Sequence, residues 1–164
     1  MEIRRRNFDL TDPVEIQRIL DECKVIRLGF NDNGEVYIVP LNYGYTMDDG
    51  KLTFYFHGAV EGRKLDIIRK NNKVGFELDC DHALKTGSAP CAYGYYYSSI
   101  VGNGVVTILE EPAEKAAGLN ILMEHQAGKP VPVPEKATAI VSVFRMDVTN
   151  YSARQNLPSP IHSH

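Results

Sequence analysis

Two turns, Asn31-Asp32-Asn33-Gly34 and Asp48-Asp49-Gly50, constrain the fold of this chain more than any other feature. Asn-Gly and Asp-Gly pairs supply the positive backbone angles that tight hairpins require. They separate three runs rich in β-branched and aromatic residues, at 25–30, 36–45 and 51–56. Three successive hairpin-linked strands point to an antiparallel barrel rather than a doubly wound parallel sheet. Further strands are predicted at 73–79, at 95–109 with bends at Gly102 and Gly104, and at 139–148. A first helix is predicted from an Asp12 N-cap, Pro13 in the first turn and Glu15 as a capping-box acid, with Ile16, Ile19, Leu20 and Cys23 on one face. Residues 65–70 and 111–125 read as two more helices, whereas 80–94 and the proline-rich 129–134 read as irregular loops.

The chain has 164 residues, 43% of them hydrophobic and 24% charged, which suits one folded domain with a proper core. Its net charge of −3 and scattered basic residues argue against nucleic-acid binding. No apolar run approaches the ~18–20 residues of a membrane span, and the first six residues lack the apolar segment of a secretory signal. Three widely spaced cysteines form no disulfide framework, so the expectation is a cytoplasmic protein with free thiols.

The segment His57-Gly58-Ala59-Val60-Glu61-Gly62-Arg63-Lys64 lies between a predicted strand and a predicted helix. Gly58 and Gly62 permit close backbone approach, helix-start amides point outward, and Arg63 and Lys64 add charge and donors. Such a loop can hold a phosphate; a solvated connection is the equally simple alternative. His57, at the strand end, could hydrogen-bond a ligand or move a proton. Pro40 cannot donate to a β-ladder, so it marks an edge or bend where backbone groups are free. Tyr93, Tyr95, Tyr96 and Tyr97 could wall a planar ligand or simply pack, and Ser98 and Ser99 follow them. Cys80, His82 and Cys91, with Asp79 and Asp81, lack the paired spacing of a structural zinc site, and no metal is expected. His125 closes a helix, where a cation complements the dipole. With no GxSxG, HExxH or EF-hand pattern, any chemistry is expected to come from a bound cofactor.

Residues 37–45, 49–52, 55–59, 61–66 and 97–104 together resemble the flavin-binding split-barrel proteins related to pyridoxamine 5′-phosphate oxidase. Within them the chain is most similar to the nitroimidazole-resistance branch, over roughly residues 1–150. The resemblance implies a mainly β, six-stranded antiparallel Greek-key split barrel with peripheral helices. It also implies a homodimer with FMN in two interface clefts. Arg63 and Lys64 match the pair that grips the FMN phosphate. Val39, Pro40, Leu41, Asn42 and Tyr43 match the strand whose backbone lines the flavin ring, and His57 the strand end beside it. Gly58 and Gly62 belong to the phosphate loop, and Ser98 and Ser99 fall at polar contacts to phosphate or ring. The implied activity is an oxidoreductase that passes electrons from a reduced donor to a small acceptor such as a nitroaromatic. A non-catalytic flavin or haem protein, or one using a deazaflavin, is the alternative. The chain has no Trp and no match to the C-terminal substrate contacts of true pyridoxamine phosphate oxidases. Residues 151–164 are expected to form a loosely ordered tail of the single domain.

Overall fold

Alternation of apolar and polar side chains builds the barrel, strand by strand, in the computed structural model, which describes residues 8–158. The elements run β1 (Asp9–Leu10), α1 (Pro13–Glu22), β2 (Val25–Asp32), β3 (Glu35–Asn42), β4 (Gly44–Asp48), β5 (Lys51–Gly58), α2 (Arg63–Lys70), β6 (Lys73–Lys85), β7 (Gly94–Leu109), α3 (Pro112–Ala127) and β8 (Ser142–Asn156). Ile26, Leu28 and Phe30 of β2 point inward at period two, as do Leu52, Phe54 and Phe56 of β5. They meet Phe76, Ile100, Phe144 and Met146 in one core, each large side chain contributing about 1.5–3 kcal/mol by burial.

All strand pairs are antiparallel, in the order β3-β2-β6-β7-β8-β5-β4, with β1 added against β8. β3 and β4 are consecutive in sequence, yet they stand at opposite ends of that path, joined only through Tyr43. The sheet therefore curls round without closing its ladder, leaving a split beside β3.

Tyr43 pins this joint. Its side chain is fully buried, and its hydroxyl proton is shared between the carbonyls of Leu20 at 2.7 Å and Cys23 at 2.9 Å. Its ring meets Phe54 edge-on at 5.3 Å. Gln126 donates to the Tyr43 carbonyl, and the His125 ring nitrogens lie 2.7 Å from that carbonyl and 2.9 Å from Leu20's. The end of α3 is thus tied to α1 and to the β3–β4 joint.

Four differences from the sequence reading have physical causes. Eight strands replace six, because the break at Tyr43 divides residues 36–45 into two strands and a two-residue strand is added at Asp9–Leu10. The 80–94 segment is sheet only at its ends: β6 continues to Lys85 past a bulge at Cys80–Ala83, where Asp81 takes a left-handed backbone, and residues 86–93 form a loop as expected. Residues 151–156 are not a loose tail, since β8 runs on to Asn156 and buries Ala153 between β1 and β7; the remainder of the expected tail, from residue 159, lies outside the described residues. Asp12 caps α1 as expected, its carboxylate accepting from the Val14 amide, but Glu15 turns instead to Arg18 and Gln155. The bend at Gly102–Gly104 is present as a register shift against β8.

Gly44 lets β4 lie directly on α3: a Cβ there would stand 2.5 Å from the Leu122 backbone. Gly44→Ala is expected to cost about 1–3 kcal/mol in urea unfolding; unchanged stability would show that α3 is free to move off β4.

Candidate functional site

The split in the barrel leaves two strand edges without ladder partners. β3 pairs only with β2. β5 pairs with β4 as far as Tyr55, after which Phe56, His57 and Gly58 pair with β8 alone. β3 and β5 approach each other across the split, and the first turn of α2 meets both, through Arg63 and Lys64. Arg63 lies over the Tyr37 ring of β3, its guanidinium carbon 4.2 Å from the ring centroid. Lys64 reaches the other side, where a Cβ on Gly58 would stand 2.9 Å from its Nζ. A larger residue at 58 would push the Lys64 ammonium from this seat. Gly62, the N-cap of α2, sits at φ +148° and offers no side-chain cap, so the Arg63 and Lys64 amides stay available, whereas the Leu65 amide donates to the Gly62 carbonyl at 3.1 Å. Ser142 supports the loop by donating to the Ala59 carbonyl at 2.7 Å.

The two cations of that turn differ in state. Lys64 has no carboxylate partner among the described residues. Arg63 is engaged: its Nε donates to Asp32 at 3.1 Å, and Nη2 donates to Glu35 at 2.8 Å. Those bonds, Glu35's first, raise the guanidinium pKa above its ordinary value. Partial burial, then the Lys64 cation, holds His57 below the usual histidine value. That shift favours the uncharged ring near neutral pH.

Of the other expected site residues, Val39 and Leu41 pack half-buried against the core and Pro40 is exposed, all three on the open-edged β3. Asn42 is spent structurally, donating to the Lys24 carbonyl and to Gln126. Tyr43 contributes no side chain to the split, being the buried joint described above. Asp32, Glu35, Tyr37 and Ser142 were not foreseen; the only sequence signal was that Asp32 and Glu35 flank a tight turn.

Residues 12–155 match the family model described as pyridoxamine 5′-phosphate oxidase. The chain belongs to that family. Among solved structures, a candidate 5-nitroimidazole antibiotic resistance protein from Bacteroides thetaiotaomicron is 27% identical over 89% of this chain and 85% of its own, with a TM-score of 0.76. The flavocytochrome Anf3 from Azotobacter vinelandii shares the fold at 17% identity, over 99% of this chain and 76% of its own, with a TM-score of 0.75. A FAD-binding protein from Mesorhizobium loti does so at 22% identity, over 90% and 96%, with a TM-score of 0.62. No curated protein matches the chain. Among the described residues no helix is long and apolar enough to cross a membrane.

Ser98 and Ser99, expected at the cofactor, lie elsewhere within one copy of this family member. Ser98 is fully buried, donates to Asp81 and accepts from Arg18 at 3.4 Å and Gln155 at 3.3 Å. Ser99 opens onto a second cleft of about 950 Å³, with Val101, Tyr151 and Arg154, on the outer face of β7 and β8. Glu22, Cys80 and Asp81 bring possible metal-ligand atoms within 4.8 Å of one another, but Arg18 already bonds both carboxylates. His82 and Cys91 stand outside that group: His82 pairs with Asp79, and Cys91 is an exposed free thiol. The Arg18 bond, chiefly, holds Asp81 below the usual carboxylate range. A depressed carboxylate stabilises the fold above its unfolded value near pH ~4, and that stability is lost as pH falls through the folded value. Asp81→Asn, which tolerates the left-handed backbone, is expected to cost about 1.5–3 kcal/mol at pH 7, the deficit shrinking below pH ~4. A deficit constant with pH in denaturant titrations would show that the charge is not what matters.

Proposed function

We propose that the chain is an FMN-dependent oxidoreductase that holds the FMN phosphate at the first turn of α2 and the flavin ring along the open edges of β3 and β5. The observation that carries this reading is the seat of Lys64 against Gly58, an unpaired cation beside uncapped helix amides, where the two unpaired edges converge. A flavin ring has hydrogen-bonding atoms along its pyrimidine edge, which suit free backbone donors and acceptors. Uncharged His57 would bond the ring or the ligand chain from the β5 side.

Val36, Ile38 and Val60 are exposed apolar side chains around the same split, at 71%, 63% and 52%. A flavin seated there in one copy would stay wet on one side, and a second copy covering these residues would enclose it. The homodimer is therefore part of the proposal, with Ser99 reaching the cofactor from the partner's face. FMN supplies hydride or single-electron chemistry; the protein binds it, orients it and excludes water. Electrons would pass from a reduced donor, such as a nicotinamide nucleotide, to a small acceptor such as a nitroaromatic. The likeness to a nitroimidazole-resistance protein supports that acceptor class.

The untreated protein is expected to show the two visible bands of flavin and to elute as a dimer by light scattering. One intense band would instead favour the haem chemistry of its flavocytochrome neighbour, and a monomer at all concentrations would contradict the shared cleft. Lys64→Ala is expected to weaken FMN about 10- to 150-fold, the loss of one charge-assisted hydrogen bond, and to leave riboflavin unchanged. Equal loss for both ligands would move the phosphate away from Lys64.

A further inference from the structure

We propose that Asp32 and Glu35 are an internal competitor for the ligand's phosphate, holding Arg63 until an oxyanion displaces them. The proposal rests on the reading that the phosphate sits beside Lys64.

A guanidinium grips an oxyanion best through an edge that presents two parallel N–H groups. On Arg63 the Nε/Nη2 edge is taken: Nε and Nη2 each lie 3.1 Å from Asp32 Oδ2, and Nη2 donates to Glu35 Oε1 at 2.8 Å. The Tyr37 ring fixes the guanidinium plane from below. Two carboxylates against one cation leave this side of the split net negative, whereas Lys64, the next residue, is unopposed. The same helix turn thus carries one cation ready for an anion and one withheld from it.

The hairpin geometry explains why both carboxylates reach Arg63. Asn33 and Gly34 take left-handed backbone angles of 55° and 92°, and the Gly34 amide bonds the Asn31 side chain. That tight turn sets Asp32 directly opposite Glu35 in the ladder. Like charges in directly opposed positions destabilise a hairpin, and here a shared cation relieves them. The bonds are exchangeable: the Arg63 side chain is 44% exposed and Glu35 69%, so each ion pair is weak and lies open to a stronger acceptor. A dianionic phosphate is such an acceptor. Arg63 is therefore a selectivity element, inert toward neutral ligands and recruited only by an oxyanion.

The test is a titration of FMN and riboflavin, followed by flavin fluorescence, on five proteins: the parent, Lys64→Ala, Asp32→Asn/Glu35→Gln, Arg63→Ala, and the triple variant combining the last two. Glu35 and Arg63 are exposed and Asp32 and Lys64 half-buried, and single Glu35→Gln serves as a milder version should the double variant fold poorly. Freeing Arg63 is expected to tighten FMN roughly 2- to 30-fold with no change for riboflavin, and the gain is expected to vanish without Arg63. A gain that persists in the triple variant would overturn the proposal, because the carboxylates would then act through charge alone. So would an unchanged or weaker FMN affinity in the double variant, which would make them positioning groups or bystanders. If those failures occur while Lys64→Ala still weakens FMN, the phosphate site stands and only the competitor falls. If Lys64→Ala has no effect, the site itself is wrong and both readings fall.

Discussion

A tyrosine at a strand break decides the shape of this molecule. Tyr43 separates two strands that belong to opposite ends of the sheet, and its buried hydroxyl is bonded to the end of α1. A phenol in that position must keep its partners, since an orphaned buried hydroxyl would cost about 1–3 kcal/mol. The joint therefore holds β3 on one side of the split and β4 on the other, with α3 bound across it through Gln126 and His125. Were the chain to run smoothly from β3 into β4 within one ladder, the barrel would have no gap for a ligand.

What the gap can do is set by α2. A helix that begins beside two unpaired strand edges brings its free Arg63 and Lys64 amides to a place where backbone donors and acceptors are also unpaired. Glycine at 58 leaves room for the close approach of Lys64. Membership of the pyridoxamine 5′-phosphate oxidase family rests on nearly the whole chain, yet chemistry is decided locally, by which cations are free and which are paired. Arg63 and Lys64 are neighbours in sequence but differ in state: two carboxylates hold the first, and among the described residues none holds the second.

Much of the fold was legible because its signals are local. The turns at Asn33-Gly34 and Asp49-Gly50 fixed three strands, and Asp12-Pro13 marked the first helix. What escaped depended on partners distant in sequence. Residues 151–156 are too polar to announce a strand, and Ala153 is buried only because β1 and β7 flank it. The 80–85 arm is β-structure through pairing with β7, despite a bulge no pattern marks. The site divides the same way. The glycine loop, His57 and Lys64 were readable from residue type and spacing, and the structure brings them together. The engagement of Arg63 by Asp32 and Glu35, and of Ser98 by Asp81, was not readable, because each joins residues from separate elements. The burial of His57 and the Lys64 cation beside it, which lower its pKa, were likewise not readable from the sequence.

The central claim is that a phosphate belongs at the α2 turn, between Lys64 and Gly58. A crystal structure of the protein soaked in FMN tests it most directly. The account expects a phosphate oxygen within hydrogen-bonding distance of Lys64 Nζ and the first-turn amides, with the flavin ring along the open edges of β3 and β5. A phosphate bound elsewhere, with that turn unchanged and solvated, would contradict it.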